Sequence, residues 1–318
     1  MEGLTSKHLV DDSEFAQQIY DAISNQDKTI RFFVDSNGVS KSYFHNVDGE
    51  IFLEAASIDE STKNYIIDSI WSLDRELDLR FKQVYKPEDA TLNIIHTGMK
   101  TIPGAEDGYG IANQYLKAED KFYSEKLGRW TATNVNMSVV ILDKYMGKHD
   151  RRQGKNYHEN TLIHELGHIL LLEHPHETKD GDHIGTGYGP LAATTDDTVM
   201  AWETSKHALK NGHPTWYLDI DLKALQEIWG EEKETVFLNK SSDYKFYNLI
   251  EKRGYGLKAK DSNNAIDEIT GLSNLKFADK KLSLINDIKG TFDQVTGLNT
   301  DSGEMFRLYN AAFARFPD

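Results

Sequence analysis

The residues best placed to do chemistry lie between Asn156 and His176, in NYHENTLIHELGHILLLEHPH. His164 and His168 are four apart, which on a helix leaves them about 40° from eclipsed and able to grip one ion. Glu165 stands beside the first, where its carboxylate can reach a metal-bound water without taking a coordination position. A third ligand is then required. His174 is the obvious candidate, but a continuous helix would carry it about 15 Å along the axis from His164 and off the shared face, so the chain must turn. Three neutral imidazoles leave a zinc ion its positive charge and an open position, and zinc so held lowers the pKa of its water to about 7 and polarises a scissile carbonyl. That chemistry is hydrolysis.

The run His164-Glu165-Leu166-Gly167-His168-Ile169-Leu170-Leu171-Leu172-Glu173-His174-Pro175 resembles the HExxHxxGxxHP signature of the metzincin metalloproteases, most nearly the serralysins and their matrixin relatives. One position departs from it. Leu171 stands where that family has glycine, used there because the backbone turns sharply at the end of the helix; a leucine in a left-handed turn costs about 1 kcal/mol unless packing compensates.

Downstream, Thr198-Val199-Met200-Ala201-Trp202 is similar to the SVMSY segment, the Met-turn. The resemblance implies that Met200 forms a hydrophobic floor beneath the metal. Where serralysins have a tyrosine two residues later, this chain has Trp202, whose indole has a donor but no lone pair for a metal. Trp202 and Tyr217 are the candidates for contact with substrate. Asp221 to Gly230, DLKALQEIWG, resembles the helix that closes the serralysin catalytic domain.

The resemblance implies a secreted zinc endopeptidase acting on protein or peptide substrates. It also implies an α+β fold: a twisted, mostly parallel five-stranded sheet with an antiparallel edge strand, a long active-site helix and a small C-terminal subdomain. An isolated HExxH arises by chance in many proteins, and His176 and His183 read as loop residues because zinc already has three better-placed ligands. Leu171 and Trp202 keep a second class open, a zinc-binding but catalytically silent surface or adhesion protein on the same scaffold.

Composition narrows the partners. The net charge of −15 argues against nucleic acid, which needs clusters of Lys and Arg. No apolar run approaches the roughly 18 residues of a membrane span. The absence of cysteine excludes disulfides and a cysteine-based zymogen switch. No N-terminal secretory signal is visible, so secretion rests on the resemblance alone.

With 318 residues, the chain calls for a catalytic domain plus something smaller. Residues 1–28 read as a helical extension in which Ser13 or Asp12 caps and Phe15, Ile19 and Ile23 recur every four residues; a pro-segment occupying the cleft is the sharper alternative. The catalytic domain spans 29–230. Within it, 30–34 is a short strand, 40–52 a hairpin, 60–78 a long helix behind the sheet, 90–95 a buried strand and 136–143 the strand before the metal helix. Residues 109–116 make an edge strand, to which an extended peptide can add by backbone pairing.

The loop Asp180-Gly181-Asp182 with Gly185-Thr186-Gly187 carries acidic oxygens that could hold calcium, although its spacing fits no EF-hand and solvated turn residues are the plainer reading. Residues 231–318 form an accessory region without nonapeptide calcium repeats. Its strand pair around ITGLSNLKFADKKLSL and its helix from Arg307 resemble a segment of large secreted bacterial proteins.

Overall fold

The computed structural model describes the chain except residues 2, 39–40, 47–48, 100–108, 143–154, 179–180, 233–234, 250–253, 262–265, 270–271, 273, 293–304 and 306–318. It divides into two compact units, Met1–Glu231 and Glu232–Asp318. Residues 1–28 belong to the first.

That unit is a mixed α+β structure built on one five-stranded sheet. Its strands are β1 (Thr29–Val34), β4 (Arg80–Gln83), β5 (Leu92–Thr97), β6 (Gly110–Tyr115) and β9 (Asn136–Leu142), in the order β4-β1-β5-β9-β6. Two smaller hairpins complete the chain-order numbering, β2 (Lys41–Asn46) with β3 (Gly49–Glu54) and β7 (Lys121–Ser124) with β8 (Arg129–Ala132). The sheet pairs are parallel except β6 with β9, where Ile111 faces Val140 and Gln114 faces Met137. A parallel strand covered on both faces reads as a continuous apolar run rather than an alternation. Val139, Val140, Ile141 and Leu142 are all buried, as that rule requires. The edge strand β6 is half-buried along its whole length.

Helix α1 (Glu14–Ser24) starts where the Ser13 hydroxyl accepts the N–H of Ala16 at 3.2 Å. Ile19 and Ile23 enter the core. Phe15, expected in the same row, is instead 42% exposed and lines the cleft described below. Helix α2 (Glu60–Glu76) is capped by the Asp59 carboxylate, which accepts the Thr62 N–H at 2.7 Å, and buries Ile66, Ile70 and Leu73 against the sheet. Its Trp71 meets Phe32 of β1 edge-on at 5.7 Å.

Three more helices follow: α3 (Tyr157–Ile169), α4 (Lys206–Asn211) and α5 (Asp219–Trp229). The sheet, α1, α2, α3 and α5 share one hydrophobic core.

The second unit holds two three-stranded sheets. In one, β10 (Thr235–Val236) pairs with β14 (Asn274–Lys276), which pairs with β15 (Lys281–Ser283); in the other, β11 (Tyr244–Leu249) and β13 (Asp267–Glu268) flank β12 (Gly254–Ala259). The expected strand pair is therefore present as β14 and β15, packed around Leu257, Leu275 and Phe277. The expected helix from Arg307 lies outside the described residues.

Candidate metal centre

Helix α3 presents His164 and His168 one turn apart, and their Nε2 atoms are 3.2 Å from each other. The helix then stops in three residues. Leu172 N–H donates to the Gly167 carbonyl at 2.9 Å and Leu171 N–H to that of His168 at 3.0 Å, the paired bonds of a Schellman turn. Such a turn needs its central residue in the left-handed region. Leu171 takes it, at φ +72°, although no glycine is there to make it free.

The compensation is visible in what surrounds the turn. The Leu171 side chain is 3% exposed and belongs to the core. Its carbonyl accepts the Asp11 N–H at 3.0 Å, Glu173 N–H donates to Leu9 at 2.9 Å, and Val10 bridges Leu172 in antiparallel fashion. The helix's last carbonyls, which lack partners within the helix, also find them. The Gln114 amide donates to His168 and Ile169 at 3.1 and 3.0 Å, and the buried Trp229 indole N–H donates to Leu170 at 2.9 Å.

The turn brings His174 back over the helix. Its Nε2 lies 3.1 Å from that of His164 and 3.1 Å from that of His168. Among the described residues these three form the one group of three or more His, Asp or Glu side chains placed to hold a metal ion. Zinc–nitrogen bonds of about 2.0–2.1 Å at tetrahedral angles separate ligand nitrogens by about 3.3 Å. The spacing fits.

The protons fit as well. His164 Nδ1 faces the Val199 carbonyl and His168 Nδ1 the Leu172 carbonyl, each at 2.8 Å. A carbonyl only accepts, so in both rings Nδ1 carries the hydrogen and Nε2 a bare lone pair. His174 Nδ1 bonds the Glu177 carboxylate in the same sense. Three acceptors cannot hydrogen-bond one another, and what relieves them is a shared cation. Burial pulls the pKa of His164 down to about 3 and that of His174 to about 4, which keeps both rings neutral, the form that ligates.

Glu165 lines the same cleft, of about 800 Å³, with its carboxylate accepting the Ala112 N–H of β6. Burial pushes its pKa up to about 8, against the lowering effect of that hydrogen bond. Gly110 explains the close approach of strand and helix, because a Cβ there would meet Glu165 Cγ at 2.8 Å and Thr161 at 2.9 Å.

Met200 is fully buried, and a Cβ on Gly167 would lie 2.7 Å from its sulfur, so the methionine packs directly under the ligand helix. The Asp221 carboxylate ties this segment to α5, accepting from the Thr198 hydroxyl, from Val199 N–H at 3.2 Å and from Leu218 N–H at 2.9 Å.

The two candidates for substrate contact separate. Trp202 lines the cleft, 47% exposed, with its ring 4.9 Å from His174 and 4.4 Å from His176. Tyr217 is 4% exposed, does not line that cleft, and donates its hydroxyl to the Ile163 carbonyl at 2.9 Å. Its position is explained by support of α3. In the candidate calcium loop, Asp182 is described and Asp180 is not.

No family model matches the chain, and no curated protein matches it. Among solved structures, a chain of the GM1-bound form of the ECX AB5 holotoxin is similar over 72% of this chain and 91% of that one, with 13% identity and a TM-score of 0.37. A likeness that weak carries no argument about fold or function.

Reading the sequence alone missed four contributors: Glu177, Gln114, Gly110 and Gly167. Glycine on a strand beside a helix is a signal of close backbone approach, so Gly110 was in principle legible. The other three matter only through partners distant in the chain or across a turn.

Proposed function

We propose that the chain is a secreted zinc endopeptidase of the metzincin type. The observation that carries this reading is the convergence of the His164, His168 and His174 Nε2 lone pairs at tetrahedral spacing, with Glu165 beside them.

A zinc ion held by His164, His168 and His174 would supply the Lewis acidity that activates water and polarises a scissile carbonyl. Glu165, steadied by Ala112 N–H, takes the proton from the attacking water and passes it to the departing amine; the positive charge of a bound ion beside it would favour the carboxylate form that burial alone disfavours. Among the described residues β6 pairs in the sheet with β9 alone, and an extended peptide would add by backbone pairing along its other edge. That places backbone affinity along β6 and selectivity in the side chains around it, Trp202 among them.

The test is cleavage of a proteome-derived peptide library by zinc-loaded protein beside the Glu165→Ala variant. Cuts that vanish in the variant, with zinc content unchanged at one ion per chain, are expected. Cuts retained by the variant overturn the role of Glu165. No cuts from either protein support the silent scaffold, which the tryptophan at 202 favours.

A further inference from the structure

His164 and His168 take their aim from the helix that carries them. His174 has no helix to orient it, standing in irregular chain beyond the Schellman turn. Its support comes from three residues on. His174-Pro175-His176-Glu177 closes as a β-turn, with Glu177 N–H donating to the His174 carbonyl at 2.9 Å and proline at the second position, where its fixed φ favours such turns. Closing the turn brings the first and fourth side chains together. The Glu177 carboxylate thereby accepts the hydrogen of His174 Nδ1, with His174 at 10% and Glu177 at 20% side-chain exposure.

The three ligands are thus not held alike. His164 and His168 donate to neutral backbone carbonyls, which orient a ring without adding charge. His174 alone among them donates to a carboxylate. A carboxylate behind an imidazole fixes which nitrogen faces the metal and makes that nitrogen more basic. It also places a negative charge next to a site whose three ligands bring none.

We propose that Glu177 is a positioning residue for the metal, setting the aim of His174 and, through its charge, the affinity of the site. This rests on the metal reading above. A turn residue with no further role would bond its backbone N–H in the same way, but its carboxylate would be free to face water rather than the cleft-side ring it meets here.

The test compares wild type with Glu177→Gln in a zinc titration against a chromogenic chelator. Glutamine keeps the length and a carbonyl oxygen to accept from Nδ1, and removes the charge. The variant is expected to bind zinc 10- to 100-fold more weakly, the usual range for loss of such a partner. In the zinc-loaded protein, the downfield proton resonance of His174 Nδ1–H should move upfield. Thermal melts of the zinc-free proteins should coincide, which a purely structural role would not allow. If the glutamine variant does not fold, Glu177→Asp carries the same comparison, with an intermediate affinity expected.

Zinc binding by the glutamine variant within twofold of wild type, with the resonance unmoved, overturns the proposal and leaves the metal reading standing. Failure of wild type itself to bind zinc removes both.

Discussion

The Asp221 carboxylate holds the N–H of Val199 at 3.2 Å, and the carbonyl of that same valine accepts His164 Nδ1–H at 2.8 Å. A buried acid on α5 thus reaches a candidate metal ligand through a single residue, Val199. Replacing Asp221 with alanine would strand the Thr198 hydroxyl and the Val199 and Leu218 N–H groups in a dry interior. Each buried group left without a partner costs about 1–3 kcal/mol. Urea unfolding of Asp221→Ala should therefore show a loss of about 3 kcal/mol or more, together with weaker zinc binding. An unchanged midpoint would mean that the segment around Met200 is held by packing alone.

Leu171 sets two effects against each other. Glycine at this position would remove about 1 kcal/mol of left-handed strain. It would also delete a buried leucine side chain, worth about 1.5–3 kcal/mol in burial alone and more if a cavity persists. Packing wins, so Leu171→Gly should destabilise the domain by about 1–3 kcal/mol in spite of matching the pattern of the metzincins. A more stable variant would show that the strain is larger than the packing.

Metal removal should be read in stability as well as activity. A ligand at 1,000 times its dissociation constant stabilises the folded state by about 4 kcal/mol. Zinc added to metal-free protein should raise the thermal midpoint by several degrees, and a strong chelator should reverse it. His168→Ala should abolish the shift. A shift that survives in that variant would place the ion elsewhere.

His96 predicts a dependence on pH. Its ring is fully buried at the end of β5, with Nε2 3.2 Å from that of His158 on α3, and burial followed by the neighbouring histidine pulls its pKa down to about 3. The unfolded chain takes up a proton near pH 6.5, and the folded one resists it. This contribution to stability is present above pH 6.5 and is lost as pH falls toward 3, at about 1.4 kcal/mol per unit for one proton. Between pH 6.5 and 5, His96→Gln should flatten the decline in stability by about that slope. Parallel curves for variant and wild type would refute it.

Helix α3 and the pairing of His164 with His168 were legible because helical spacing converts sequence distance directly into geometry, and the return of His174 followed from the need for a turn. The strands β5 and β9 announced themselves as apolar runs, whereas β6, GIANQY, was marked by the Gly-rich turn before it, and its antiparallel sense followed from the family likeness rather than from its residues. Tyr217 misled because its segment lies between the Met200 turn and α5 in the sequence, whereas its hydroxyl donates to the Ile163 carbonyl of α3 and its side chain does not line the cleft. Phe15 misled for the converse reason, since periodicity assigns a helix face but not how much of that face is covered. Glu177 was invisible as a partner of His174 until the Pro175 turn closed. Leu171 was the instructive case. Its conformation could be anticipated from its place in the pattern, but its support comes from Leu9, Val10 and Asp11, some 160 residues away.

That support has a temporal side. Leu9 to Asp11 and their pairing partners at 171–173 are separated in the chain by all five strands of the sheet. Closing so long a loop is entropically slow. The turn that places His174 is therefore secured by a contact of long sequence separation, which should form late in folding and be lost early on partial unfolding.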